Sequence, residues 1–295
     1  MTSTAVPADQ PQGLTKLGGR PTLGRYMTQL WGRRHFVIEL AYSRFRSQNE
    51  EDRLGIGWTV LGPLINAAVY GLIFGVIMSS GTRPENFVPF LVTGVFVFQY
   101  FSSCLSGGAK AIIGNMGLVR SLHFPRAVLP ISLVLQNAFA LMPMMAVLAV
   151  IVVLTGEPIK VEWLLVPPAL LLYTMFNLGI AFIAARMTIH VRDLAQLIPF
   201  ISRVLFYMSG VFFSVKLTVG SETGNAAILA KVMEYNPVHI YIQLVRHGFL
   251  TPDPKETSGA YATNGMWAMG AAWGVGLMVV GFLYFWLAEE RYGRE

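Results

Sequence analysis

Six stretches near 20 residues in length run almost free of charge, and they constrain this chain more than any other feature: 58–78, 88–106, 127–154, 163–185, 194–215 and 266–288. About 20 apolar residues in an α-helix cover the roughly 30 Å of a bilayer's hydrocarbon core. A backbone placed there must satisfy its own hydrogen bonds. The expected architecture is therefore an all-α membrane protein with six transmembrane helices, Trp58 to Met78, Val88 to Ser106, Ala127 to Leu154, Trp163 to Ala185, Leu194 to Val215 and Met266 to Ala288. Arg203 interrupts the fifth. Composition agrees, since 54% of the residues are apolar and 13% charged, against the roughly one quarter charged in soluble domains.

The distribution of Lys and Arg sets the orientation. Six spans place both termini on one side, which then holds Lys16, Arg20, Arg25, Arg33, Arg34, Arg44, Arg46, Arg53, Lys110, Arg120, Arg126, Arg186, Arg192, Arg291 and Arg294. Only Arg83, Lys160, Lys216, Lys231, Arg246 and Lys255 fall on the other. By the positive-inside rule both termini are expected in the cytoplasm and the protein in the plasma (inner) membrane. The net charge of +6 follows from that topology, and nucleic acid is not needed to explain it. Residues 1–57 have no apolar core followed by a small-residue cleavage site, so the first span is expected to direct insertion. The single cysteine, Cys104, excludes an intrachain disulfide and a thiolate cluster.

The chain divides into a cytoplasmic tail with an amphipathic helix (1–57), the six-span domain (58–288) and a short cytoplasmic tail (289–295). Leu23, Met27, Leu30, Val37, Ala41 and Phe45 recur at helical spacing with Arg25, Arg33, Arg44 and Arg46 between them. That pattern suits a helix lying in the membrane interface, or one packed on a partner. The amphipathic run Gly114 to Arg126 follows the second span. It is too polar to cross the membrane and too apolar for a loose loop. Leu118, Leu122 and Phe124 line one side, with Arg120 and Arg126 at the membrane surface, as in a docking helix. Between the last two spans, Ala226 to Tyr235 and Pro237 to Leu250 read as short helices, with Asn236 as N-cap and Pro237 as the first helical residue. About 14 residues cannot span, so re-entrant half-helices are expected.

Several chemistries are missing. Gly107-Gly108-Ala109-Lys110 lacks the Gly-Lys-Ser/Thr ending of a phosphate-binding loop, so nucleotide hydrolysis is not expected. His35, His123, His190, His239 and His247 lack metal-ligand spacing, and no metal site is expected. Acidic residues are confined to tails and loops, which disfavours proton coupling. Arg203 is the exception at membrane depth: it either receives a phosphate through its planar fork or extends to the headgroups. Phe96, Gln99, Tyr100, Phe206, Tyr207 and Phe213 either line a path, with rings against sugar faces, or pack against lipid and neighbours.

These residues resemble a known family, the membrane subunit of type-2 ABC exporters, in the branch that exports O-antigen, teichoic acid and related cell-envelope polysaccharides. The resemblance runs from about Tyr42 to the C-terminus. It rests on Leu54-Gly55-Ile56-Gly57-Trp58 with Pro63, Gly94 followed by Phe98 to Phe101, Asn115 to Pro130 with Phe124-Pro125-Arg126, His190-Val191-Arg192-Asp193, and Asn236-Pro237 with Arg246. The acidic run Gln48 to Arg53 departs from the basic stretch usual before this Leu-Gly-x-x-Trp. The resemblance implies an ATPase-coupling helix at Asn115, Leu118, Arg120, Leu122, His123, Phe124 and Arg126, and a second contact at His190, Arg192 and Asp193. It implies an outer gate with Asn236, Pro237, Tyr241 and Arg246. It further implies a homodimer paired with two ATPase subunits that bind ATP and magnesium, while this chain binds no cofactor. The implied substrate is a lipid-linked glycan carried through membrane lipid. A drug or lipid exporter of the same superfamily is the alternative, and a polyprenol-dependent membrane enzyme lacks a convincing carboxylate pair.

Overall fold

The computed structural model describes residues 22–50, 53–77, 86–121, 124–191, 193–214, 225–251 and 264–289. Eleven α-helices and two short 3-10 turns make up the described residues, with no strand among them. They are α1 (Leu23–Gly32), α2 (Arg34–Glu50), α3 (Gly57–Ile77), α4 (Phe87–Lys110), α5 (Met116–Ser121), α6 (Val128–Leu154), α7 (Val166–His190), α8 (Leu194–Met208), α9 (Asn225–Glu234), α10 (Pro237–Phe249) and α11 (Asn264–Trp286). The 3-10 turns precede α5 (Ile113–Asn115) and α7 (Val161–Leu165).

Five segments are long and apolar enough to cross a membrane: Gly57–Val76, Phe87–Lys110, Val128–Leu154, Val161–His190 and Asn264–Trp286. The remaining expected span differs. Its helix α8 has 15 residues, about 22 Å at 1.5 Å per residue, short of the roughly 30 Å hydrocarbon core. The apolar run continues to Val215, but the helix stops where the backbone turns at Gly210, with φ +63°. Apolarity alone carried the expected span past that turn. Val211, Phe212 and Ser214 beyond it remain buried.

α4 is the central helix. It packs against α3, α6, α7, α8 and α10, and Phe90, Phe96, Tyr100 and Phe101 are all buried. Polar groups within it find partners on neighbouring helices, as the membrane interior demands. The Tyr173 hydroxyl donates to the Val97 carbonyl at 3.1 Å, and the Tyr100 hydroxyl donates to Thr174 Oγ1 at 3.1 Å.

α7 and α11 form the most extensive helix pair. Glycines make it possible. A Cβ on Gly281 would stand 2.4 Å from the Gly179 carbonyl oxygen, and one on Gly179 would stand 2.3 Å from that of Leu277. Small residues permit such backbone approach where lipid supplies no hydrophobic drive. Gly274 meets the Leu172 carbonyl of α7 in the same way, and Gly270 lies against the Leu244 side chain of α10.

The N-terminal helices are bound to the body of their own chain. Val37 and Ala41 of α2 are buried, and Tyr42 and Phe45 meet Phe139 of α6 with ring centroids 6.3 and 6.4 Å apart. Trp31, Ile38 and Tyr42 remain exposed beside Arg34, Glu39 and Arg46, so the outward side mixes apolar and charged residues. Of the stripe read from periodicity, Val37 and Ala41 are buried and Leu30 and Phe45 half-buried, while its first two members are not. Leu23 and Met27 are exposed, whereas Tyr26 is 1% exposed, and α2 begins anew at Arg34 after α1 ends at Gly32.

Candidate functional site

Three groups of residues stand out. The first lies at the end of the bundle where α4 leads into α5 and α6. α5 is six residues long and presents Val119 inward, with Gly117 and Arg120 outward. Leu118 and Phe124 also turn toward the body, packing beside the buried Ile112, Ala127 and Leu129. The Phe124 ring meets Phe36 of α2 edge-on at 6.1 Å, and Arg44 of α2 donates to Asn115 Oδ1 at 2.7 Å. α2 therefore holds both ends of the expected coupling run. Leu122, His123 and Arg192 lie outside the described residues. In the second expected contact, His190 and Asp193 are both exposed at the chain surface, and His190 Nδ1 donates to the Arg186 carbonyl at 3.0 Å.

Below this run sits a knot that the sequence did not announce. The Tyr26 hydroxyl donates to Glu289 Oε2 at 2.9 Å and accepts from the Ala127 amide at 3.1 Å. The Arg126 amide donates to Glu289 Oε1 at 3.0 Å, and the Arg126 guanidinium donates to the Glu289 carbonyl. Three distant parts of the chain thus meet at one carboxylate: α1, the start of α6 and the end of α11. Glu289 is 7% exposed, and burial holds its carboxyl above the ordinary range against the opposing bonds from Arg126 and Tyr26. One sequence signal was available, an acidic pair directly after the last span, where basic residues are the rule.

The second group caps the broken helix α8. The last carbonyls of any helix lack intrahelical donors, and the turn at Gly210 adds more. α10 supplies the partners. Asn236 Nδ2 donates to the Met208 carbonyl at 3.3 Å, and His239 Nδ1 donates to that of Ser209 at 3.0 Å. Arg246 donates to the carbonyls of Gly210 and Val211 at 3.0 and 2.9 Å. Four consecutive carbonyls are therefore taken by three side chains of one segment. Arg246, wholly buried, also donates to the Phe90 carbonyl of α4 at 3.0 Å and lies 3.3 Å over the Phe90 ring. Gly94 leaves the room, since a Cβ there would come within 2.8 Å of the guanidinium. A cation at a helix C-terminus is favoured by the dipole as well. Asn236 caps α10 by accepting from the Val238 amide at 3.0 Å, with Pro237 as first helical residue. The Tyr241 hydroxyl donates to the Gly270 carbonyl at 2.7 Å. All four expected gate residues thus sit in α10 or at its cap, and His239 joins them.

The third group lines an open cleft of about 200 Å³ between α3, α4 and α8. Its polar lining is Asn66, Tyr70, Gln99, Ser202 and Arg203, over Phe98 and Phe206. Ser202 is fixed to Ser102 of α4 at 2.8 Å. Of the residues expected along a path, Gln99, Arg203 and Phe206 come together here. Tyr207 is exposed beside them, with its ring 5.8 Å from that of Phe206. Phe213 is half-buried against the main core. Phe96 and Tyr100 are 0% and 2% exposed and pack the core, because α4 is surrounded by helices rather than facing a channel with those positions.

The sequence model of the ABC-2 type transporter membrane family matches residues 38–250, a range that contains all three groups except Tyr26, Phe36, Gly270 and Glu289. The chain is 27% identical over 206 residues to an O-antigen export system permease protein of Myxococcus xanthus, covering 70% of this chain and 78% of that protein. It is 26% identical over 179 residues to an O-antigen export system permease protein of Klebsiella pneumoniae, covering 60% and 68%. A polysialic acid transport protein of Escherichia coli is 26% identical over 185 residues, covering 60% and 69%.

Proposed function

The chain belongs to the ABC-2 type transporter family, as a multi-pass membrane protein, and on that premise we propose that it is the transmembrane subunit of an ATP-driven exporter of lipid-linked polysaccharide. The observation that carries this reading is the similarity to O-antigen and polysialic acid transport proteins over 70% and 60% of the chain. Hydrolysis belongs to a separate ATPase subunit that binds ATP and magnesium. Two such subunits serve a homodimer of this chain in the plasma membrane, with both termini cytoplasmic. The outward face of α5, with the nearby His190 to Asp193 turn, is the surface that the ATPase engages. The α10 segment with Asn236, Pro237, Tyr241 and Arg246 is a re-entrant outer gate, and it completes on the outer side the sector that the short α8 leaves unfinished. Exposed apolar side chains flank the cleft on both sides, Ile65, Val69 and Leu72 on α3 and Phe200, Ile201 and Val204 on α8. In the homodimer these faces surround the path, with Gln99, Arg203, Phe206 and Tyr207 along it.

The test is depletion of the chain in cells that continue to synthesise envelope glycan. Lipid-linked glycan is expected to accumulate on the cytoplasmic side while surface glycan falls. Normal surface glycan in fully depleted cells overturns the reading. Purified chain alone is expected to show no ATPase activity, since it has no phosphate-cradling loop.

A further inference from the structure

We propose that the cleft between α3, α4 and α8 binds the phosphate of a lipid head, with Arg203 as its principal ligand and Asn66 and Tyr70 as supporting donors. This deepens the export reading by giving its path a specific anion site.

The first observation is depth. Asn66 is the tenth of 21 residues in α3, Gln99 the thirteenth of 24 in α4, and Arg203 the tenth of 15 in α8. Asn66 and Gln99 lie near the middle of span-length helices, and Arg203 stands about 14 Å along α8 at 1.5 Å per residue, in the same cleft as both. Polar side chains at that depth are costly when they face lipid. Here they face one another across a cleft instead.

The second is chemistry. Every polar side chain of the lining can donate a hydrogen bond, one is a permanent cation, and no carboxylate lines the cleft. No hydrogen bond or ion pair engages the Arg203 side chain among the described residues. Part of the donor set is already fixed: Gln99 Nε2 donates to Ser103 at 3.2 Å, and Ser202 is tied to Ser102. That leaves the planar guanidinium fork, suited to bidentate phosphate contact, with the Asn66 amide and the Tyr70 hydroxyl opposite. A neutral sugar would be met by mixed donors and acceptors. The amides and hydroxyls here can turn donors toward a ligand, and the one permanent cation with no carboxylate beside it biases the cleft toward an anion.

The third is size. A volume of about 200 Å³ lies below the roughly 300–1,000 Å³ of sites that enclose whole drug-sized ligands. The cleft is small for a glycan and open on one side. A head group can enter while its lipid tail stays in the bilayer.

The test uses the full chain in phosphatidylcholine nanodiscs, with lipid retention measured by native mass spectrometry. A polyprenyl diphosphate is expected to be retained at least tenfold better than the matching polyprenol. Arg203→Gln should reduce it to the polyprenol level, while Arg203→Lys and Asn66→Ala each lose about threefold. Phosphatidylglycerol is the second probe. If it equals the diphosphate, and Arg203→Gln abolishes both, the site holds and ordinary headgroups supply its phosphate. If only the diphosphate is selected, the carrier of the exported glycan supplies it. Unchanged retention of both phosphate lipids by well-folded Arg203→Gln overturns the proposal. Should that variant misfold, parent-like retention by both Arg203→Lys and Asn66→Ala overturns it equally. Selective phosphate binding combined with normal surface glycan in depleted cells would remove the export reading and leave the site standing.

Discussion

At the scale of single residues, two buried polar side chains hold opposite parts of the molecule. Arg246 satisfies carbonyls that no water can reach, so Arg246→Ala leaves several bare and is expected to cost about 2 kcal/mol or more, read as a lowered unfolding midpoint in detergent. Arg246→Lys keeps the charge but cannot fork across the Gly210 and Val211 carbonyls, and an intermediate midpoint is expected. Glu289 gives a pH signature. Its carboxyl is held above the ordinary value by burial, so between the unfolded pKa of about 4.3 and the raised folded one the native state binds more protons. Stability should therefore fall as pH rises through that window and level off above it. Thermal unfolding from pH 4 to 8 checks the sign, and Glu289→Gln should remove this component of the slope. A contribution from Glu289 that rises with pH would contradict the burial account.

At the scale of elements, α5 divides cleanly into a side the chain uses and a side it does not. Phe124 meets Phe36, so Phe124→Asp should damage the subunit itself. Gly117 is the sharper probe, because a side chain added there meets nothing within 4 Å. Gly117→Trp is expected to leave the unfolding midpoint of the isolated chain within about 1 kcal/mol of the parent, the usual scale of an exposed change of this kind. Recovery of the ATPase with tagged protein should drop several-fold. Equal recovery would place the docking surface elsewhere. Element identity was legible here because 3.6-residue periodicity and length are local properties. Observed ends fall within a few residues of those expected for most spans, as with Trp58–Met78 against Gly57–Ile77. Which face of a helix is buried was not legible wherever three or more apolar residues shared a turn. Leu118 and Val119 are equally apolar, and only the tertiary arrangement selects Val119 for full burial. Tyr26 was missed for the same reason: its partners lie 101 and 263 residues away.

At the scale of the whole molecule, the tight seam between α7 and α11 acts as the rigid side of the bundle, and the stiffness is testable by position. Gly281→Ala drives a methyl against the Gly179 backbone and should cost about 1–3 kcal/mol as overpacking. Gly276→Ala, on the same helix with nothing within 4 Å, should be near neutral or slightly stabilising. Comparable midpoints for the two variants would mean that the seam is looser than its geometry implies. The opposite side is built differently. α8 stops short, and among the described residues the carbonyls of its end and of the following turn are satisfied by side chains from 28 to 36 residues further on. During synthesis those carbonyls emerge ahead of Asn236, His239 and Arg246, which follow 28 to 36 residues later. The nascent chain therefore carries a temporary debt of unsatisfied backbone, which α10 discharges when it folds back. A chain ending at Tyr235 is expected to be cleared by membrane proteases despite holding four of the five span-length helices, and pulse-chase turnover would reveal it.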